Sequence, residues 1–295
     1  MTAPARRSSF AAALARGARP RQWLKNGMVF TAPLASGALL HLDGLLRSLA
    51  AFGVLCLAAS GAYLINDAAD AESDRAHPRK RHRPVAAGLI SVRAAATAGA
   101  LAILAALVSG SLVLGWWFGA VVLAYLVLST AYTLWIRQIA VADLAAVATC
   151  HVLRALAGAV AVGVDVTNWY LLVVSMGALV LVIGKRESEL RSGGSTVTRR
   201  TLDAYTLGYL VTVRATCSGV MIVTYCLWAA HLSGGIAPTV HAAGIVPFLL
   251  AVLRLNLLID RGDAEEPETL LLHDRQLQVY LVLLALCQLV GSQLR

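Results

Sequence analysis

The chain has 295 residues, 58% of them hydrophobic and 14% charged, with a mean hydropathy of +0.71. A soluble domain is nearer half apolar and a quarter charged, so these values exclude one and describe an all-α polytopic membrane protein. The formal net charge of +9 is read as base collected on cytoplasmic loops, not as binding to nucleic acid.

Residues 1–26 form a basic cytoplasmic arm that ends in an interfacial segment, Arg19-Pro20-Arg21-Gln22-Trp23-Leu24-Lys25-Asn26. Residues 27–295 are expected to form a single integral-membrane catalytic domain. A span needs about 20 apolar residues, and on that rule the sequence predicts about nine transmembrane helices. Their centres fall near Thr31, Leu57, Ala102, Val122, Cys150, Met176, Ser218, Phe248 and Leu284. The short apolar run from Met28 to Leu40 follows a basic arm and leads into no secreted domain. It is therefore read as the first span and not as a cleavable signal. Cys56, Cys150, Cys217, Cys226 and Cys287 sit in apolar runs without metal-ligand spacing, as small buried hydrophobes. Trp116-Trp117 reads as an interfacial belt pair.

Orientation follows from the 25 Lys and Arg residues. Only Arg47 and Arg295 fall on one side of the expected spans, and Arg154, Arg214 and Arg254 lie within spans. The rest collect on the other side, which the positive-inside rule makes the cytoplasm. The amino terminus and the loops after the second, fourth, sixth and eighth spans are then cytoplasmic. Three of these loops hold the polar motifs. The run from Asp260 to Glu268, with Pro267, reads as a solvated loop.

The second span closes on Tyr63-Leu64-Ile65-Asn66-Asp67-Ala68-Ala69-Asp70-Ala71-Glu72-Ser73-Asp74 and then on Arg79-Lys80-Arg81-His82-Arg83. Asp67, Asp70 and Asp74 stand at i, i+3 and i+7, so an unbroken helix places them on one face with Asn66 and Tyr63. Three carboxylates on one face need a positive partner. Mg²⁺ suits hard oxygen ligands and is commonly shared between carboxylates and substrate phosphates. Lys80, Arg81 and Arg83 could hold the rest of a phosphorylated ligand. The plain alternative is a polar helix end whose acids pair with nearby Arg and Lys.

The sixth span ends in Gly184-Lys185-Arg186-Glu187-Ser188-Glu189. Lys185 and Arg186 read either as phosphate ligands or as topology signals. Arg154, with His151 nearby, is deep in the fifth span. A buried arginine there faces a cavity or a partner, so Arg154 reads equally as a ligand contact or as a structural pair, with Asp143 one candidate partner. Arg214 and Arg254 read as structural, and Asp203 and Tyr205 as further members of the second polar wall.

The pattern Asn66-Asp67-x-x-Asp70-x-x-x-Asp74 at the end of a second span resembles the first aspartate-rich motif of the UbiA superfamily of intramembrane prenyltransferases. Further pieces narrow the resemblance: Arg19-Pro20-Arg21-Gln22-Trp23-x-Lys25-Asn26, Asp74-Arg75-x-His77-Pro78-x-Lys80-Arg81-x-Arg83-Pro84, Leu153-Arg154-Ala155-x-Ala157-Gly158, Gly184-Lys185-Arg186 and Asp274-Arg275. Together they are most similar to one branch, the actinobacterial decaprenyl-phosphate phosphoribosyltransferases. The superfamily generally carries a second Asp-x-x-x-Asp motif after the sixth span. Here two bases and two glutamates stand in its place.

The resemblance implies a UbiA-like bundle in a bacterial plasma membrane, with its active site cytoplasmic. It implies Mg²⁺-dependent transfer of 5-phosphoribose from phosphoribosyl pyrophosphate to a polyprenyl (decaprenyl) phosphate lipid, with release of diphosphate, feeding arabinan precursor synthesis for the cell wall. Asn66, Asp67, Asp70 and Asp74 would be the catalytic metal ligands. Arg21, Gln22, Lys25, Asn26, Tyr63, Lys80, Arg81, Arg83, Arg154, Lys185, Arg186 and Glu189 would bind substrate. Glu187 departs from the branch, which usually has an aromatic residue there, and this leaves another phosphosugar donor open. Also open are prenyl transfer to an aromatic or other acceptor, a non-catalytic transporter or lipid-binding protein, and a homo-oligomeric state.

Overall fold

The computed structural model describes residues 9–78, 80–191, 201–232, 235–262, 270 and 272–294. Every regular element among them is helical. The part of the Asp260 to Glu268 run beyond Gly262 lies outside the described residues, as does Ser192, which is expected on the cytoplasmic side with Ser73.

Helix α1 (Phe10–Gly17) starts where the Ser9 hydroxyl accepts the Ala12 N–H. A 3-10 segment (Pro20–Phe30), α2 (Thr31–Ala35) and a 3-10 turn (Ala38–Leu40) follow. Then come α3 (Leu42–Ala69), α4 (Ala71–Ala76), α5 (Val92–Leu114), α6 (Trp116–Leu134), α7 (Ala142–Val162) and α8 (Asn168–Arg191). The chain continues through α9 (Leu207–His231), α10 (Ala237–Ala243), α11 (Ile245–Asp260) and α12 (Arg275–Gln293). Among the described residues, 8 helices are long and apolar enough to cross a membrane, with α10 and α11 forming one span over Ala237–Asp260.

The run expected as the first span crosses the bundle as a broken segment and not as one continuous helix: Arg19 before it meets Asp67 at the end of α3, and Gly37 packs on Ser292 at the end of α12, on the opposite face. Pro33 has no N–H to give the carbonyl of Val29, so α2 starts afresh at Thr31 with the proline in its first turn and does not extend the 3-10 segment as one continuous helix. Gly37, at φ 78°, ends the segment. The Val29 carbonyl packs against Gly158 of α7 so closely that no Cβ fits at that position. The arm therefore leans into the bundle along α7.

Helices α3 and α5 also meet through glycine. A Cβ on Gly61 would lie 2.7 Å from the Gly99 carbonyl, and one on Gly99 would lie 2.8 Å from the Gly61 carbonyl. Small residues at such a crossing let the backbones approach where lipid gives no hydrophobic drive. The interior has two main cores. Leu55 of α3, Phe118 and Val122 of α6, Ala157 of α7 and Val29 of the arm form one. Leu144 of α7, Ile183 of α8, Leu210 of α9 and Ile259 of α11 form the other. Helix α7 borders both.

Successive spans reverse direction, so the ends of α3, α6, α8 and α11 share one face of the bundle with the starts of α5, α7, α9 and α12. Arg191–Asp260 at 2.8 Å and Arg254–Asp274 at 2.6 Å tie that polar end together. The opposite end carries the exposed pair Trp116 and Trp117. It also holds an apolar cavity of about 420 Å³, lined by Thr31, Trp169, Tyr170, Tyr225, Trp228 and Phe248 among others.

Candidate active site

Helix α3 persists through Ala69, then bends at Asp70 (φ −90°, ψ 5°) before α4 resumes. The bend leaves Asp67 and Asp74 facing the same way. Both are buried, at 1% and 2% exposure. One guanidinium joins them: Arg83 Nη1 donates to Asp67 Oδ1 at 3.2 Å and to Asp74 Oδ2 at 2.7 Å. Arg19 Nη2 reaches the same Asp67 oxygen at 2.5 Å, with its guanidinium 4.9 Å from the centre of the Tyr63 ring. Lys80 Nζ lies 3.9 Å from Asp74 Oδ1.

The acid face thus carries arginine and lysine partners, as the plain reading of the motif expected. It also keeps features of a cation site. Asp67 Oδ2 is buried with no hydrogen-bond partner. Asp70 is half-buried and pairs with no cation among the described residues, and Asn66 lies one turn away. No group of three His, Cys, Asp or Glu residues converges to hold a metal among the described residues. The donor chemistry still fits a hard divalent ion, because an orphaned carboxylate oxygen and an unpaired carboxylate are what such an ion satisfies. A cation bound here competes with Arg19 and Arg83 for Asp67.

Of the other expected ligands, Tyr63 and Gln22 are half-buried near this end, and Lys25 is half-buried with interactions of its own. Arg21 and Arg81 are exposed, and Arg81 Nε is 3.4 Å from His82 Nε2. Asn26 and Arg154 are buried and hold each other, Arg154 Nε donating to Asn26 Oδ1 at 2.9 Å. Arg154 also donates to the Cys150 carbonyl and to the Tyr125 hydroxyl, each at 3.0 Å. The expected Arg154–Asp143 pair does not form. The two residues are three turns apart on α7, about 16 Å along the axis.

Asp143 belongs instead to a second polar cluster. Arg186 is 3% exposed and donates from Nε to Asp143 Oδ2 at 3.3 Å, from Nη1 to Glu189 Oε2 at 2.9 Å and from Nη2 to the Tyr132 hydroxyl at 3.3 Å. The Tyr205 hydroxyl donates to Asp143 Oδ1 at 2.5 Å and accepts the Val141 N–H at 2.5 Å. Burial, then the bond to Asp143, push the Tyr205 phenol well above its ordinary value. It stays a donor at neutral pH. Val141 has φ 67° and ψ −46°, a conformation that costs a β-branched residue on the order of 1–3 kcal/mol. Asp203, expected in this wall, is exposed and takes no part. Lys185 is half-buried and engaged.

The sequence profile of the UbiA prenyltransferase family matches residues 27–280. The chain belongs to this family. Across the UbiA family, a decaprenyl-phosphate phosphoribosyltransferase of Mycolicibacterium smegmatis is 39% identical over 285 residues, covering 90% of this chain and 88% of that protein. A decaprenyl-phosphate phosphoribosyltransferase of Mycobacterium tuberculosis is 36% identical over 291 residues, covering 97% and 95%. A UbiA homolog from Archaeoglobus fulgidus, solved with GPP and Mg2+ bound, superposes with a TM-score of 0.68 at 19% identity, over 96% of this chain and 99% of that one. The UbiA fold is therefore shared, and the chain is a membrane-bound transferase of the UbiA superfamily.

Within this UbiA-family bundle, three members of the polar end escaped the sequence reading as site residues. In the sequence Arg19 is one more base of the arm, Asp143 lies on the same span as Arg154 and suggests that partner, and Tyr132 carries no signal. A tyrosine at the end of an apolar span looks like an interfacial anchor. Its 3.3 Å contact with Arg186 marks it as part of the cluster.

Proposed function

We propose that this chain transfers 5-phosphoribose from phosphoribosyl pyrophosphate to a polyprenyl phosphate. The bond from ribose carbon 1 to the diphosphate oxygen breaks, a bond from that carbon to a lipid phosphate oxygen forms, and diphosphate leaves. The observation that carries the reading is the composition of the second cluster. Its centre is a buried guanidinium, Arg186, beside Lys185. A guanidinium has five N–H groups, and Arg186 gives one each to Asp143, Glu189 and Tyr132. The remaining donors suit a monophosphate separate from the diphosphate. The names of the relatives at 39% and 36% identity agree with this reading.

Asn66, Asp67, Asp70 and Asp74 would hold Mg²⁺, which when bound neutralises charge on the leaving diphosphate. Lys80 and Arg83, which already meet the acids, with Arg81, Arg21 and Lys25, would hold the diphosphate. Lys185 and Arg186 take the 5-phosphate. The lipid phosphate is already an anion at neutral pH, so no strong base is required. Positioning and electrostatics carry the rate. The arm joins the acid face to the far apolar cavity, whose walls suit an isoprenoid tail. The polar end faces the cytoplasm, where the basic loops collect.

The test is turnover by purified protein with Mg²⁺ and a polyprenyl phosphate acceptor. Phosphoribosyl pyrophosphate and geranyl diphosphate are supplied in parallel. Diphosphate release and a phosphoribosylated lipid are expected with the first donor alone. Turnover of geranyl diphosphate alone would make the protein a prenyltransferase instead.

A further inference from the structure

The geometry points to Asp143 and Tyr205 as a positioning pair that sets the orientation of Arg186 toward the donor's phosphate. The inference deepens the proposed function and rests on its placement of a donor phosphate at Arg186.

Asp143 is 0% exposed and sits in the first turn of α7. Its two oxygens are divided between two partners. Oδ2 takes the Nε–H of Arg186, and Oδ1 takes the Tyr205 hydroxyl. Tyr205 comes from the loop that leads into α9, so the pair links three separate parts of the chain. The same hydroxyl accepts the N–H of Val141, whose positive φ holds the start of α7 against this loop. Both Asp143 oxygens and the Tyr205 hydroxyl are already taken within the cluster, whereas Arg186 keeps N–H groups to spare. Each acts through Arg186.

The side of Arg186 toward Glu189 differs from the side toward Asp143. Glu189 is 28% exposed and one turn along the same helix. Its carboxylate can swing into solvent at little cost, while Asp143 cannot. An incoming phosphate therefore exchanges with Glu189 at Nη1, and Asp143 keeps the guanidinium plane fixed through Nε. With the Tyr205 bond removed, Asp143 is free to turn about its own side chain. The charge pair survives, but the direction of the fork is lost. The penalty belongs in donor affinity and not in the chemical step.

Steady-state kinetics on Tyr205→Phe, Arg186→Ala and the double variant test this, on whichever of phosphoribosyl pyrophosphate and geranyl diphosphate the wild type turns over. The choice of donor judges the proposed function, and the cycle judges the positioning pair. Tyr205→Phe should raise donor KM about tenfold, as expected for a misdirected charged hydrogen bond. Its kcat and lipid KM should stay within about twofold. In the Arg186→Ala background the same substitution should change donor KM by less than about twofold, because the group it orients is gone. An equal rise in both backgrounds, or no rise in the wild-type background, overturns the inference. Asp143→Asn, which keeps the shape and loses the charge, should raise donor KM at least as much as Tyr205→Phe. A smaller effect from Asp143→Asn also counts against the pair.

Discussion

Glu187 and Arg214 meet inside the bundle as a two-point ion pair, Nε to Oε1 at 2.6 Å and Nη2 to Oε2 at 3.2 Å, with Glu187 0% exposed. Arg214 also donates to the Asn256 side chain, which bonds Ser218 in turn. Adjacent residues of α8 therefore serve opposite neighbours: Arg186 turns to α6 and α7, while Glu187 turns to Arg214 of α9, which in turn reaches Asn256 of α11. Glu187, where the chain departs from the branch, is the countercharge of a buried arginine.

Glu187→Ala should destabilise the protein by about 3–5 kcal/mol, because it strands the Arg214 charge in the interior. A large fall in the melting temperature in detergent is the expected readout. Glu187→Leu combined with Arg214→Met should recover most of the loss, since an apolar pair removes both charges together. If the single variant melts like wild type, the pair contributes nothing to stability.

Asp70 and Asp67 should separate metal binding from folding. Asp70 pairs with no cation among the described residues, so Asp70→Asn leaves no arginine stranded. The variant should melt like wild type but need about tenfold or more Mg²⁺ for half-maximal turnover, a loss of about 1.4 kcal/mol or greater. Asp67→Asn removes the shared partner of Arg19 and Arg83, so it should lower both the melting temperature and activity. An unchanged Mg²⁺ requirement in Asp70→Asn would show that the metal lies elsewhere.

Orientation is testable at Ser73, which is exposed beside the acid face. Ser73→Cys, in a background with the five native cysteines replaced, should resist a membrane-impermeant thiol reagent in intact cells and react after permeabilisation. Labelling of intact cells would place the acid face outside and reverse the topology.

Membrane class, the placement of eight spans and the acid motif at the end of α3 were legible in the sequence. Each of these is a local property. Apolar transfer adds up residue by residue over about 20 positions, and the spacing of Asp67 and Asp74 keeps them on the same side even across the bend at Asp70. The same additivity located a first crossing at Met28–Leu40 but not its form. The run is apolar enough, but Pro33 and the fit of Val29 against Gly158 break it into an arm.

Which charge meets which was decided only by the tertiary structure. Asn26 and Arg154 are 128 residues apart in the chain, and nothing in their spacing joins them. Arg186 takes Asp143, and Arg154 does not, because partnership across a bundle depends on each helix's rotation and depth. Those are set by close contacts such as Gly61 on Gly99, which have no signature in hydropathy. A buried charge must find its partner among groups that packing brings within about 4 Å, and the order of residues along the chain does not encode that distance.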